Sequence, residues 1–188
     1  SIALGIGIGT SSVVARKVGG GQESASRILG QHAIVLVSVV TIVLAAVLMS
    51  MSHTIFEWLG AEGEILREID AYMIIYLPGT VLFTITMVAG NVMRANGLAG
   101  IPGLVMTLGA GLNLLLDPFF IFGLWGFPEL GLQGAAVAMA ASRAVTAAVL
   151  LYYVVKFNFV DFEAGMTGFI SSSREILHIG LPAMATQL

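Results

Sequence analysis

The amino-acid sequence contains no cysteine and very little charge. Without cysteine, the chain has neither disulfides nor thiolate ligands for a metal. Only 10% of its residues are charged, against about 25% in soluble domains, and they form no basic patch that would indicate a nucleic-acid partner. Its 3 histidines have no metal-binding spacing. No nucleophile lies in a pattern with a base, so we expect neither an enzyme nor a cofactor or metal.

The sequence is instead rich in hydrophobic residues, which form long segments. Hydrophobic residues make up 57% of the chain, and its mean hydropathy is +0.97. A chain this apolar cannot cover its surface in water, so we expect an integral membrane protein. A spanning helix needs about 20 apolar residues, and by that length the sequence predicts an all-α bundle of transmembrane helices. The predicted segments, of which the first and last are partial, are 1–15, 33–52, 71–93, 101–123, 131–155 and 176–188.

The distribution of Lys and Arg predicts the orientation of this bundle. Basic residues occur in the first, third and fifth loops, at Arg16, Lys17, Arg27, Arg94, Lys156 and Arg174. The second loop is predicted to hold a cluster of acidic residues, Glu57, Glu62, Glu64, Glu68 and Asp70. The odd-numbered loops are therefore predicted to be cytoplasmic in a multi-pass protein of the inner or plasma membrane.

One acidic residue, Asp117, lies within a predicted membrane-spanning segment, where a charge is strongly unfavourable. Asp117 is inside the apolar fourth span, and charged residues in hydrocarbon usually face the protein interior and mark an ion or substrate path. Asn113 precedes it by four residues, so the two side chains share a helix face. Pro118 lacks an N–H and crowds the carbonyl of Leu114, which frees a backbone acceptor nearby. These groups predict a site for H⁺, Na⁺ or a cationic ligand, with Pro118 as a hinge.

The remaining polar or helix-bending residues in the spans are weaker candidates. Arg143 lies in the middle of the fifth span, about two turns deeper than Asp117, and we favour a structural role over a direct pair. Asn91 is expected to make a helix-to-helix hydrogen bond. Pro78 is a second candidate hinge, although proline is common in spanning helices.

Small residues repeat every four positions in two of the segments. The two sets are Gly5 and Gly9, and Gly134, Ala138 and Ser142. Small residues at this spacing allow helix backbones to approach closely in lipid. The sequence therefore predicts tight helix packing at both sets.

Several stretches resemble the multidrug and toxic compound extrusion (MATE) family, in particular its DinF-like and NorM-like members. The most specific is the run from Asn113 to Gly123 followed, after a short loop, by the run from Leu130 to Ser142. The other matching stretches are 90–97 with Pro102, 15–22 and 179–182.

The resemblance implies a twelve-helix transporter with two six-helix lobes related by a pseudo-two-fold axis, a general design among transporters. Residues 1–175 would be most of the amino-terminal lobe, from the end of helix two through helix six and the next cytoplasmic loop. Residues 176–188 would begin helix seven of the second lobe. The chain starts with Ser1 and in apolar sequence, so we expect an internal piece whose partner is the rest of its own chain.

The resemblance also implies a secondary antiporter that exports cationic or amphipathic drugs in exchange for H⁺ or Na⁺. An Asn and an Asp on the fifth helix of archaeal and DinF-like members belong to a polar network, and they match Asn113 and Asp117. In some members a polar residue of the sixth helix contributes. The matching residues 135–141 are apolar here, which leaves Gln133 and Ser142 as candidate polar support. The expected partners are organic cations, the coupling ion and the lipid bilayer.

Other functions remain open on the sequence alone. A flippase of lipid-linked saccharides from the same superfamily would need a more cationic cavity, and Arg143 is the one basic residue well inside these spans. A non-transporting membrane assembly subunit would use Asp117 as a pairing residue across an interface. An intramembrane enzyme ranks last.

Overall fold

A computed structural model describes residues 2–126, 128–161, 163 and 165–185. These residues form α-helices joined by short connections, which confirms the predicted all-α fold. The helices are α1 (Ile2–Gly19), α2 (Glu23–Trp58), α3 (Gly63–Ala95), α4 (Gly100–Phe122), α5 (Leu132–Lys156) and α6 (Phe169–Ala185), with a 3₁₀ turn at Leu124–Gly126.

The helices α2, α3, α4 and α5 are long and apolar enough to cross a membrane, which confirms the four full spans. They are longer than their apolar centres. The 36 residues of α2 extend for about 54 Å at 1.5 Å per residue, whereas the hydrocarbon layer is about 30 Å thick. Helix α2 is therefore longer than the hydrocarbon layer is thick.

This extra helix length corrects the prediction for the second loop. The connection between α2 and α3 is only residues 59–62, so most of the acidic cluster lies on helix ends. Glu57 is in α2, and Glu64, Glu68 and Asp70 are in α3. Asp70 approaches His53 of α2, with 2.7 Å between Oδ2 and Nδ1. Glutamate is a good helix former, so the polar sequence continues the helix instead of ending it.

Helix α6 begins at Phe169 and not at Ile176, which corrects the last predicted segment. The polar residues before Ile176 concealed a helical pattern, in which Ser173, Ile176 and Gly180 are buried at spacings of three and four. Spacings of three and four residues put side chains on one helix face. Residues 186–188 of that segment lie outside the described part of the chain.

Helix α3 is the centre of the packing, since it contacts α1, α2 and α5. Helix α4 packs mainly against α5, and α6 packs against α1 with a smaller contact to α2. The bundle therefore places α3, α4 and α5 around a common space, with α1 and α6 on another side of α3.

Both sets of small residues lie in close contacts, as predicted. A Cβ atom on Gly9 would overlap the backbone carbonyl of Ile176, and one on Gly180 would lie 2.5 Å from the carbonyl oxygen of Gly5. Helices α1 and α6 therefore meet backbone to backbone. Gly134, Ala138 and Ser142 are all buried on α5.

His32 is buried completely, although the sequence places it at a membrane edge. Its Nε2 lies 3.4 Å from the carbonyl oxygen of Gly165, and its Nδ1 lies 2.9 Å from Oγ of Ser172. Its ring meets Phe169 edge-on at 5.5 Å between centroids. With Nε2 as the donor to Gly165, Nδ1 accepts from the Ser172 hydroxyl. This histidine connects α2, α6 and the segment between α5 and α6.

Replacing His32 by Leu is expected to loosen this junction. The change removes the partner of the Ser172 hydroxyl, whereas the Gly165 carbonyl keeps the hydrogen bond that Gln31 Nε2 donates to it at 3.2 Å. Loss of a hydrogen bond of this kind costs about 1 kcal/mol. We expect a lower midpoint of thermal unfolding for the full-length protein and faster proteolysis between residues 157 and 168. The matched control is His178→Leu at an exposed position of α6, which should change neither. Equal midpoints of thermal unfolding for the two variants would contradict a role of His32 in holding α2 and α6 together.

Candidate functional site

The predicted pair of polar residues on α4 forms in the structure. Asn113 Nδ2 donates a hydrogen bond to Asp117 Oδ1 at 3.2 Å, and both residues are half-buried. Helix α4 continues to Phe122 and ends at Gly123, whose φ of 66° is the left-handed conformation typical of glycine at a helix end. Asp117 therefore lies about 7.5 Å along the axis from the last helical residue.

Neither proline interrupts its helix. Helix α4 runs through Pro118, and α3 runs through Pro78. Pro118 follows the carboxylate directly, whereas Pro78 lies in an apolar groove between α2 and α3 that is lined by Ile42 and Met49. A hinge at either position stays a prediction, and Pro78 lies apart from the Asn113–Asp117 pair.

A cavity of about 300 Å³ lies between α3, α4 and α5, next to this pair. Its polar groups come from Thr86, Asn113, Ser142, Arg143 and Thr146. Its apolar walls include Phe83, Met106 and Met139. Asn113 belongs to both features, because it lines the cavity and donates to Asp117. Through this one side chain, a change at the carboxylate can reach the cavity.

Two of the hydroxyl groups that line the cavity donate hydrogen bonds within their own helix, α5. Thr146 Oγ1 donates to the carbonyl of Ser142 at 2.7 Å, and Ser142 Oγ donates to the carbonyl of Met139 at 2.9 Å. Each hydroxyl hydrogen is thus used within α5, while the oxygen lone pairs remain able to accept. Gly109 of α4 faces Thr146 so closely that a Cβ there would overlap it. The wall between α4 and α5 is therefore closely packed.

Arg143 contributes a positive charge to the same cavity. Its guanidinium carbon lies 5.0 Å from the ring centroid of Phe83 and 5.9 Å from that of Tyr76. Its Nη1 atom is buried and makes no hydrogen bond with the described residues. No ion pair between Arg143 and Asp117 is found in the part of the chain that the structure describes. The guanidinium thus packs on aromatic rings of α3 and borders the cavity.

Two of the predicted supporting residues lie away from this site. Asn91 Oδ1 accepts from Arg94 Nη2 at 2.7 Å, and its amide group lies against Gly7 of α1. The hydrogen bond of Asn91 is therefore within α3 and not between helices as expected, and its contact with α1 is one of packing. Gln133 is half-buried in the first turn of α5 and does not line the cavity. Ser142 and Arg143, by contrast, are brought to it.

The sequence interpretation missed the aromatic and methionine walls of the cavity, although a signal for part of them exists. Met106 and Asn113 are seven residues apart on α4, and Met139 and Thr146 are seven apart on α5. This spacing of two turns places each pair on one helix face. The contribution of Phe83 from α3 has no comparable local signal.

A larger and more open groove of about 1070 Å³ lies between α2 and α6. Its walls are mostly apolar, and Arg174, Glu175 and His178 border it. The groove does not include the Asn113–Asp117 pair. The smaller cavity is therefore the better candidate for a site, because a guanidinium and an amide line it and that amide is hydrogen-bonded to the Asp117 carboxylate.

The family model described as MatE matches residues 1–119, more than half of the chain. The chain belongs to the MatE family. Members of this family are transporters and not enzymes. The resemblance seen in the sequence is thereby confirmed, and so is the membrane bundle that it implied.

Two curated relatives show how far the similarity extends. An FAD transporter of Shewanella oneidensis is 31% identical over 190 residues, which covers 100% of this chain and 42% of the relative. A probable multidrug resistance protein NorM of Thermotoga maritima is 32% identical over 182 residues, which covers 96% of this chain and 39% of the relative. The chain thus spans about two fifths of the length of these relatives.

A solved structure shows the same fold. The Vibrio cholerae MATE transporter VcmN in the bent form matches with a TM-score of 0.89 and 30% identity. The match covers 99% of this chain and 42% of that protein. The described helices therefore follow the arrangement of helices in a MATE transporter, whose full architecture has twelve helices.

Proposed function

We propose that the MatE protein of which this chain forms part is a secondary antiporter of the plasma membrane. It exports amphipathic organic compounds in exchange for H⁺ or Na⁺. The observation that carries the proposal is the half-buried carboxylate of Asp117 on a membrane-spanning helix, hydrogen-bonded to Asn113 beside a cavity.

The pair provides a way to couple an ion to the cavity. An ionised carboxylate makes a strong, charge-assisted hydrogen bond with the Asn113 amide. Protonation of Asp117, or coordination of Na⁺ by its oxygens, removes the negative charge that holds the amide. Asn113 is then free to turn toward the cavity that it lines. The ion thereby shifts the population between a state that holds the substrate and a state that releases it.

The relatives support transport of organic compounds but differ in the compound. One is named for FAD and another for multidrug resistance. A shared fold does not determine the substrate, which depends on the side chains of the site. The substrate of this protein is therefore argued from its own cavity.

We also propose that residues 1–156 belong to the amino-terminal lobe and that α6 opens the second lobe. The support is the connection between the end of α5 at Lys156 and the start of α6 at Phe169, in which the described residues form no helix. The boundary expected at residue 176 would instead fall inside a continuous helix. Helix α6 would then contact the first lobe through the close packing of α1.

The transport proposal is tested with full-length protein in vesicles, imposing a pH gradient and a Na⁺ gradient separately. The probes are rhodamine 123, a cationic xanthene dye, and fluorescein, an anionic one. We expect efflux of at least one dye to follow one of the two gradients. No gradient-driven flux of either dye, with protein shown to be folded and inserted, would contradict antiport and favour the flippase or the assembly subunit.

Removing the amide of Asn113 is expected to weaken coupling without abolishing it. In Asn113→Ala, gradient-driven flux should fall roughly tenfold, the loss typical when a partner that orients a ligand side chain is removed. The matched control is Thr107→Ala, which is exposed on the same helix and should keep the original flux. Equal flux in the Asn113 variant and the control would remove Asn113 from the coupling site.

A further inference from the structure

We infer that the cavity between α3, α4 and α5 binds the anionic group of an amphipathic organic substrate, with Arg143 as the group that recognises it. The inference rests on the proposed transport function and specifies the class of its substrate. Sequence alone pointed to organic cations, whereas the charge of this cavity points to anions.

Arg143 carries a charge that the described residues do not balance. It makes no ion pair among them, and its Nη1 atom is buried without a hydrogen bond. A guanidinium keeps its proton in proteins, so this charge persists. A cation inside a membrane-spanning helix is unfavourable and usually marks a functional path. The unused N–H groups of Arg143 are therefore available to an anion.

The surroundings of Arg143 orient it without using its donors. The rings of Phe83 and Tyr76 attract the face of the guanidinium. Gly79 of α3 also lies next to the guanidinium, since a Cβ added there would be 3.8 Å from Nη1, an ordinary contact distance. An arginine stacked on rings directs its N–H groups outward in its own plane. That planar fork matches the two oxygens of a carboxylate or phosphate.

The rest of the cavity complements an amphipathic anion. Of the described residues that line it, Arg143 is the only charged one. Asn113 adds an amide, and Phe83, Met106 and Met139 add apolar walls. A volume of about 300 Å³ is at the lower end of the range for small-molecule sites. The cavity thus suits an apolar ring with one acidic group, while an organic cation would meet the charge of Arg143.

This assignment separates the two charges of the site. Asp117 takes the coupling ion, and Arg143 takes the substrate. Asn113 lies between the two functions, because it donates to the carboxylate and lines the cavity.

The test measures binding of fluorescein and of rhodamine 123 to purified full-length protein by fluorescence polarisation. The two dyes share a xanthene ring and differ in charge at mildly alkaline pH. We expect saturable binding of fluorescein to the wild type. In Arg143→Gln the affinity for fluorescein should fall roughly tenfold or more, because a charge-assisted, bidentate contact is lost. Binding of rhodamine 123 should not weaken.

Two further variants keep the test independent of folding. Arg143→Lys retains the charge without the planar fork, and we expect an affinity for fluorescein between those of the wild type and Arg143→Gln. Lys156→Gln removes a cation at the end of α5 that does not line the cavity, and it should bind fluorescein as the wild type does. Absence of fluorescein binding to the wild type, or equal affinities in all variants, would overturn the inference.

The outcome is separable from that of the transport proposal, since no gradient is applied. Gradient-driven efflux of rhodamine 123 without Arg143-dependent binding of fluorescein would support antiport and overturn the anion site. Farnesyl pyrophosphate is the second probe. If it binds more tightly than fluorescein and loses affinity in Arg143→Gln, the anion site is supported and the source of the anion is a lipid-linked pyrophosphate.

Discussion

Replacing Asp117 by Asn in the full-length protein is expected to reduce gradient-driven flux to the rate of vesicles without protein. Asparagine has nearly the same shape as aspartate, so the packing of α4 is retained. The asparagine amide neither takes up nor releases a proton near neutral pH, and it carries no negative charge to attract Na⁺. The proposed transport cycle then lacks the step in which ion binding shifts the protein between the state that holds the substrate and the state that releases it. We expect loss of coupled flux with folded protein, measured with each gradient in turn.

The matched control is Glu129→Gln, which neutralises another carboxylate in the connection between α4 and α5. This residue lies outside the Asn113–Asp117 pair and the cavity, so coupled flux should persist. If Asp117→Asn transports as fast as the wild type, Asp117 is a structural carboxylate and the coupling ion binds elsewhere.

Replacing Gly134 by Ala is expected to disturb the whole site from a distance. Helix α5 starts directly over the last turn of α4, where Leu130 N–H donates to the carbonyl of Phe120 at 3.1 Å. A Cβ on Gly134 would overlap that carbonyl oxygen and lie 2.5 Å from its carbon. These are backbone atoms, so relief requires a shift of one helix. Overpacking of this kind costs about 1–3 kcal/mol.

A shift of α5 also moves Arg143, because that residue lies on the same helix. We therefore expect Gly134→Ala to lower the midpoint of thermal unfolding and to weaken fluorescein binding together. Gly111→Ala is the matched control on α4, since a Cβ there meets nothing within 4 Å. It should leave stability unchanged or raise it by up to about 1 kcal/mol. Equal stability of the two variants would contradict the close contact at Gly134.

The part of the site that is local in sequence was predictable. Asn113 and Asp117 are one helical turn apart, so their shared face follows from the period of the helix alone. The same reasoning identified the contact face of Gly134, Ala138 and Ser142, which is buried. The membrane class followed from composition, and four spans followed from apolar length.

The part that depends on tertiary packing was not predictable from local pattern. Arg143 was assigned a structural role because nothing in its own helix shows what surrounds it. Its environment comes from Tyr76 and Phe83 on α3, which lie 67 and 60 residues earlier in the chain. The burial of His32 likewise depends on α6, which returns to α2 only in the folded bundle.

In the proposed antiport, the two charged groups of the site serve different ligands. An antiporter must bind its ion and its substrate in alternation. Asp117 and Arg143 have opposite charges and form no ion pair in the described structure. Each is therefore available to its own ligand. Asn113 donates to Asp117 and also lines the cavity. It is therefore the described side chain through which ion binding at Asp117 would affect substrate binding in the cavity.

The most direct test of this account is the affinity of the full-length protein for its dye substrate as the proton or Na⁺ concentration is raised. Coupling between two sites is reciprocal, so an ion that releases the substrate must weaken its binding, typically by about 5–150-fold. We predict such a decrease for one of the two ions in the wild type and none in Asp117→Asn. An ion dependence that is the same in both proteins, or absent from the wild type, would contradict Asp117 as the coupling site.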